Sequence, residues 1–226
     1  MLIPEQTADG SYTLFVPELN EHYHSIKGAL NESIHIFISM GLRHSPIEIP
    51  RILEIGFGTG LNAFLTLLEA NRTQRTVHYT TIERYPVPNQ LIDQLHYPEN
   101  ISPNDADFFH ALHSAPWETD IVISPYFTLH KVNADFTHYT LTQQYDIVYF
   151  DAFAPEKQPE MWSQDIFNKL YEHLNNNGIL TTYCAKGIVR RMLQSAGFSV
   201  ERLPGPPDGK REILRGNKNF MPTNSL

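Results

Sequence analysis

The chain has 226 residues, 41% hydrophobic and 19% charged, which is enough for one sizeable core and too few for two ordinary domains. That balance excludes a disordered, collagen-like or repeat chain. No stretch approaches the roughly 20 apolar residues of a membrane span, and the opening MLIPEQTADG lacks the basic and apolar regions of a leader. Seventeen basic against 25 acidic side chains leave a formal charge of −8, which alone argues against a phosphate-rich partner.

Residues 7 to 24 alternate around Asp9-Gly10, a hairpin signal. Ile26, Leu30, Ile34, Phe37 and Ile38 then repeat at helical spacing, with Ser25 as candidate N-cap and Gly41 just past the end. Arg51 to Ile55 is a compact apolar strand running into a glycine cluster, after which Leu61, Phe64, Leu65 and Leu68 mark a helix. Val77 to Ile82 reads as a strand, residues 86 to 118 as short helices and loops, and Phe127 to Val132 as a further strand. Tyr145 to Phe150 is apolar nearly throughout, as a strand covered on both faces should be. Ile166, Phe167, Leu170 and Leu174 form a helical stripe, Asn175 to Gly178 a turn, and Ile179 to Tyr183 a strand. A last helix carries Ile188, Val189, Met192 and Leu193 and closes at Gly197, before two strands at 198–203 and 211–214 separated by a Pro-Gly-rich turn. Strands alternating with helices predict an α/β fold with a mostly parallel sheet.

Ile52 to Asn62, ILEIGFGTGLN, places Gly56, Gly58 and Gly60 between a buried strand and a helix. Glycines there let the backbone turn tightly beside a ligand while the helix offers free N–H groups. The dinucleotide fingerprint wants its third glycine where Leu61 stands, and no Lys-Ser/Thr pair follows as in a P-loop. Glycines at every second position, preceded by Glu54, resemble the S-adenosylmethionine loop of Rossmann-like methyltransferases. Such a fold implies seven strands, one domain over residues 1–226, and residues 1–45 as an N-terminal hairpin-helix extension.

Glu83 ends the next strand, 23 residues beyond Gly60, where a carboxylate can accept hydrogen bonds from a ribose diol; alone it reads equally as a surface residue. Asp135 is placed to receive an adenine amino group, or is an ordinary loop aspartate. Asp151 follows the buried strand directly, where ligands of open α/β sheets bind, although aspartate is also common as a helix cap or turn residue. Phe153 and Trp162, in the same DAFAPEKQPEMW segment, offer flat surfaces to a base or simple packing. From Lys186 to Lys218 there are eight basic and three acidic residues, an excess of five, whereas the rest carries 9 basic and 22 acidic ones. An acidic body with a basic end is the result, and such a run is either a phosphate-binding face or solvated surface. His22 and His24 share one strand face, but two ligands do not make a zinc site. Cys184, the single cysteine, fits a reducing cytoplasm and a small buried residue.

Taken together, GFGTGLN, DAFAPEKQPEMWS, GIVRRMLQSAGF and GKREIL, with HYHSIKGALNESIHIF upstream, resemble the methyltransferase family of the tRNA 5-methylaminomethyl-2-thiouridine pathway, called MnmC when fused to an oxidase and MnmD when alone. The resemblance covers most of the chain. It implies S-adenosylmethionine as cofactor, the anticodon arm of tRNA as partner, and methyl transfer to the amine of 5-aminomethyl(-2-thio)uridine at the wobble position. Neither a metal nor a membrane is implied by it. The chain ends soon after GKREIL, so a flavin domain is not expected in it. The candidate cofactor residues are Glu54, Gly56, Phe57, Gly58, Thr59, Gly60, Asn62, Glu83 and Asp135, with Asp151 orienting the amine and taking its proton. Acceptor contacts would come from Phe153, Pro155, Trp162, Arg190, Arg191, Lys210 and Arg211, the four basic ones toward phosphates, and Tyr23 and Glu32 match the N-terminal pattern. A small-molecule or protein N-methyltransferase, an aminopropyl transferase and a non-catalytic RNA-binding relative are the alternatives.

Overall fold

A computed structural model describes residues 2–207 and 209–219. Strands β1 (Ile3–Gln6), β2 (Tyr12–Val16) and β3 (Glu21–His22) form a small antiparallel sheet. The turn between β1 and β2 contains Asp9 and Gly10 as expected, and it also caps a helix. Helix α1 (Ala29–Ser33) starts after Gly28, not at Ser25. Its first N–H groups are satisfied from the hairpin: Asp9 Oδ2 accepts from Asn31 N at 3.0 Å, Ser11 Oγ from Leu30 N at 3.2 Å and Thr7 Oγ1 from Ala29 N at 3.4 Å. Free helical N–H groups need such acceptors. Burial works to raise the Asp9 pKa, but hydrogen bonds from Ser11, Asn31 and Thr7 outweigh it and leave the carboxyl below its usual range.

The helix continues in wider π turns over Ile34–Leu42. Gly41 therefore lies inside the helix and does not end it. Its bare Cα faces the Tyr149 ring, where a Cβ would stand 3.1 Å from the ring edge.

The main sheet begins with β4 (Arg51–Ile55), helix α2 (Leu61–Thr73) and β5 (Val77–Glu83). Short helices α3 (Asn89–Ile92) and α4 (Tyr97–Ile101) lead to α5 (Ala106–Ser114). Then come β6 (Asp120–Ser124), β7 (Phe127–Asn133), β8 (Tyr145–Phe150), α6 (Gln164–Glu172), β9 (Leu174–Thr182), α7 (Gly187–Ala196), β10 (Ser199–Pro204) and β11 (Glu212–Asn217). The strand order is β10-β11-β9-β8-β4-β5-β7-β6. Strands β9, β8, β4, β5 and β7 are parallel neighbours, and β11, β10 and β6 join antiparallel.

The sheet has eight strands where seven were expected. The addition is β6, an edge strand paired with β7; its alternating exposure and partial burial give only a weak pattern. Successive side chains of a strand point to opposite faces, and the core divides accordingly. Ile52, Tyr79, Ile147 and Tyr149 pack toward the π turns, α2 and α5, while Leu53, Val148, Phe150 and Leu180 pack toward α6 and α7. All six residues of β8 are buried, the reason its sequence is apolar apart from Asp146. Among the described residues no helix is long and apolar enough to cross a membrane.

Candidate active site

Parallel strands all end on the same edge, so the residues following them converge there. Gly56 after β4, Glu83 at the end of β5, Ala134 and Asp135 after β7, Asp151 after β8 and Tyr183 after β9 line a cavity of about 460 Å³. The N-terminal extension closes one side with Tyr23, His24 and Glu32, and Lys210 enters from the β10–β11 connection.

Gly56, Gly58 and Gly60 have φ angles of 91°, 52° and 74°, a region in which side chains other than glycine are strained. A Cβ on Gly58 would come 2.9 Å from Tyr23 Cδ1, and one on Gly60 2.6 Å from His113 Nε2. Space and backbone thus require glycine at both positions. Gly58 N–H donates to Glu83 Oε2 at 3.0 Å and Tyr85 N–H to Oε1 at 2.7 Å. An ionised carboxylate has about four acceptor sites, so Glu83 retains capacity for a ligand diol while bracing the loop. Phe57 and Thr59 line the same cavity, with Phe57 stacked near His113 and Thr59 Oγ1 accepting from Tyr97 Oη at 3.2 Å. Gly60 stands behind the lining as the first residue of the α2 cap.

Asp151 is part-buried, and its Oδ2 accepts from Asn62 Nδ2 at 2.9 Å. Burial pushes its pKa up to about 7, with the Asn62 hydrogen bond opposing the rise. Asn62 Oδ1 is buried without a partner. Burial also lowers the His24 pKa to about 4 and raises that of the Tyr23 phenol, so both are neutral at pH 7.

The cavity does not collect every residue singled out in the sequence. Glu54 is fully buried beneath the sheet, facing Thr81, Tyr79 and Asn62 with neither oxygen at full hydrogen-bond geometry. Alternation along β4 puts its carboxyl on the face of Ile52 and Tyr79, and burial raises its pKa well above the carboxylate range. Asp135 lines the cavity, but Oδ1 accepts from Thr137 N and Oγ1 and Oδ2 pairs with Arg84 at 2.7 Å. Phe153 lines it edge-on to Tyr23 with ring centroids 5.0 Å apart, whereas Pro155 and Trp162 do not. Trp162 is buried, and its indole N–H donates to Phe153 O at 2.7 Å, supporting the loop from behind.

Ion pairing reduces the basic end. Lys186 pairs with Glu156, Arg202 with Glu212, Lys210 with Glu32 and Arg215 with Glu201, while Lys218 Nζ donates to Tyr171 O and Leu174 O. Arg190, Arg191 and Arg211 are the remaining members and lie outside the cavity lining. Asp208, one of the three acidic residues counted in this segment, falls outside the described residues.

Tyr183, Gln158 and Met161 line the cavity without having been singled out. The rule that selected Asp151, position at the carboxyl end of a parallel strand, also applied to Tyr183. His24 carried no sequence signal for its placement, because only the folded extension brings it over the sheet.

The glycine cradle, the Glu83 acceptor and the cavity volume, which lies within the roughly 300–1,000 Å³ of small-ligand sites, fit an adenosyl cofactor. A family model described as S-adenosyl-L-methionine-dependent methyltransferase matches residues 123–219. The chain is 31% identical over 218 residues to the tRNA 5-methylaminomethyl-2-thiouridine biosynthesis bifunctional protein MnmC of Cupriavidus metallidurans, covering 89% of this chain and 32% of that one. The protein of the same name from Delftia acidovorans is 29% identical over 216 residues, covering 89% and 33%. This chain thus spans about a third of the length of these relatives. The crystal structure of MNMC2 from Aquifex aeolicus superposes with a TM-score of 0.74 at 24% identity, covering 99% of this chain and 74% of that one. Spermidine synthase from Thermotoga maritima shares the fold at a TM-score of 0.56 and 14% identity, covering 98% and 74%. With the glycine cradle and the strand-end carboxylates on one cavity, the chain has the fold of these structures, its residues 123–219 match the S-adenosyl-L-methionine-dependent methyltransferase model, and 89% of it is similar to about a third of the MnmC proteins.

Proposed function

We propose that this chain transfers a methyl group from S-adenosylmethionine to the amine of 5-aminomethyl(-2-thio)uridine at the wobble position of tRNA. The relatives named for that biosynthesis align along 89% of the chain. The observation that carries the reading is the carboxylate of Asp151, held by Asn62 at 2.9 Å beside the glycine loop with a pKa of about 7.

When bound, the cofactor supplies an electrophilic methyl on a sulfonium. Gly56, Gly58 and Glu83 would hold it, and the protein's further task is to present a neutral amine in line with that carbon. A free alkyl amine is largely protonated near neutrality, with a pKa of about 10.4; the electron-poor pyrimidine and removal from water both lower it. As the N–C bond forms and the S–C bond breaks, its electron pair staying on sulfur, the nitrogen becomes acidic and its proton would pass to Asp151. A base whose pKa lies near the working pH accepts that proton efficiently and releases it again through the open side of the cavity. Tyr23 and Phe153 offer ring surfaces to a base turned out of its stack, as a modifying enzyme requires. Arg190, Arg191 and Arg211 are assigned to anticodon-arm phosphates, and Lys210, drawn into the cavity by Glu32, to the reacting end.

The test is incubation of the purified chain with S-adenosylmethionine and tRNA bearing the unmethylated aminomethyl nucleoside, followed by nucleoside mass spectrometry. One added methyl on that nucleoside is expected. Methylation of free small amines with untouched tRNA would favour the small-molecule alternative and overturn this reading.

A further inference from the structure

We propose that the Lys210–Glu32 ion pair is a positioning element that sets how tightly Asp151 holds its proton, and hence the pH at which the site accepts one. The inference rests on Asp151 being the proton acceptor, as argued above. Glu32 belongs to α1 and Lys210 to the β10–β11 connection, 178 residues apart, yet both line the cavity that Asp151 lines. Lys210 Nζ donates to Glu32 Oε1 and stands 4.6 Å from the centre of the Tyr183 ring. Tyr183 Oη in turn donates at 2.9 Å to the carbonyl of Ala152, the residue after Asp151. The other Glu32 oxygen accepts from Ser25 N at 3.1 Å.

Anchoring the connection does not by itself require these charges. One turn further along the helix His35 Nε2 already meets Pro204 O at 2.8 Å. The Glu32 side chain is only 10% exposed, and placing a charged pair at such a wall carries a desolvation cost. Its opposite charges act on Asp151 in opposite senses: Glu32 favours the protonated carboxyl and Lys210 the ionised one. The other groups that bear on Asp151 are Asn62 from α2, Glu54 from β4, Tyr79 from β5 and Tyr183 beyond β9. Burial moves Glu54 toward its neutral form and the two tyrosines away from ionisation, so among these groups the pair brings the opposite charges that act on Asp151.

The test is a carbon-13 NMR titration of the Asp151 carboxyl in the full chain, compared among the wild type, Glu32→Gln, Lys210→Met, Lys210→Arg and the Glu32→Gln/Lys210→Met double variant. The midpoint should rise in Lys210→Met and fall in Glu32→Gln, each by about half a pH unit or more. It should stay near the wild-type value in Lys210→Arg and return toward that value in the double variant. Unmoved midpoints, shifts of the same sign, or an arginine variant that behaves like the methionine variant would overturn the proposal. If Glu32→Gln does not fold, the two lysine variants decide it. Because the titration needs no acceptor, shifted midpoints without tRNA methylation would refute the functional reading alone. Methylation with unmoved midpoints would refute this inference alone.

Discussion

At Asp151 one buried environment has two consequences of opposite sign. With a folded pKa of about 7 the ionised base becomes available as pH rises, so turnover should fall about tenfold per unit below pH 7. Stability should run the other way. The native carboxyl holds its proton between about pH 4 and 7 while the unfolded one has lost it, so this residue lowers stability as pH rises through that window. Asp151→Asn keeps an acceptor for Asn62 and removes the buried charge. It should lose at least ~100-fold in turnover, retain cofactor affinity by calorimetry, and be more stable than wild type at pH 8 by about 2–4 kcal/mol. Near-normal turnover in this variant would remove Asp151 from the chemistry.

Among the elements, the hairpin turn illustrates how a local signal can understate its role. Asp9-Gly10 reads as a turn, and it is one; folding also directs Asp9, Ser11 and Thr7 at the N-terminus of α1, the helix that carries Glu32. Asp9→Ala should therefore cost about 1–2 kcal/mol, as loss of a helix cap does, seen as a lower Tm and, in hydrogen exchange, faster opening of residues 29–33. An unchanged Tm would mean that Ser11 and Thr7 suffice. The parallel strands and α2 were legible because burial on both faces writes continuous apolar runs and glycine marks the turn after β4. β6 and α5 were not: one is a part-exposed edge and the other lies in a Pro- and Asn-rich stretch where apolar residues are too scattered to fix a period.

On the scale of the whole molecule, buried titratable groups should balance one another. His24 and His113, with pKa values of about 4 and about 3, are neutral when folded. In the unfolded chain they gain protons below about pH 6.5, which lowers stability as pH falls. Asp151 keeps a proton that the unfolded chain has lost, which acts oppositely, and burial moves Glu54 in the same direction. Between about pH 4.5 and 6.5 the carboxyl protons offset the histidine ones, so the unfolding free energy from denaturant titrations should vary less steeply with pH than the histidines alone would make it. Asp151→Asn removes one opposing term, so over that range its stability should fall with acidification more steeply than that of the wild type, by about 1.4 kcal/mol per unit; equal slopes in the two proteins would refute the balance.

Charge pairing also bounds nucleic-acid binding. If Arg190, Arg191 and Arg211 supply the phosphate contacts, log affinity for tRNA should fall against log salt with a slope of about −2 to −3, measurable by filter binding. A slope near zero would leave the basic end as ordinary surface.

The amino-acid sequence by itself determined the alternation of strands and helices, the glycine cradle, and the placing of Glu83 and Asp151 at strand ends, because burial period and backbone freedom are local properties. Tertiary structure alone decided that Glu54 turns beneath the sheet, that Trp162 supports a loop from behind, that half of the basic end is ion-paired, and that Lys210 meets Glu32 across 178 residues of chain. Those outcomes depend on which side chains meet in space, and residue period along a chain carries no information about partners so distant in it.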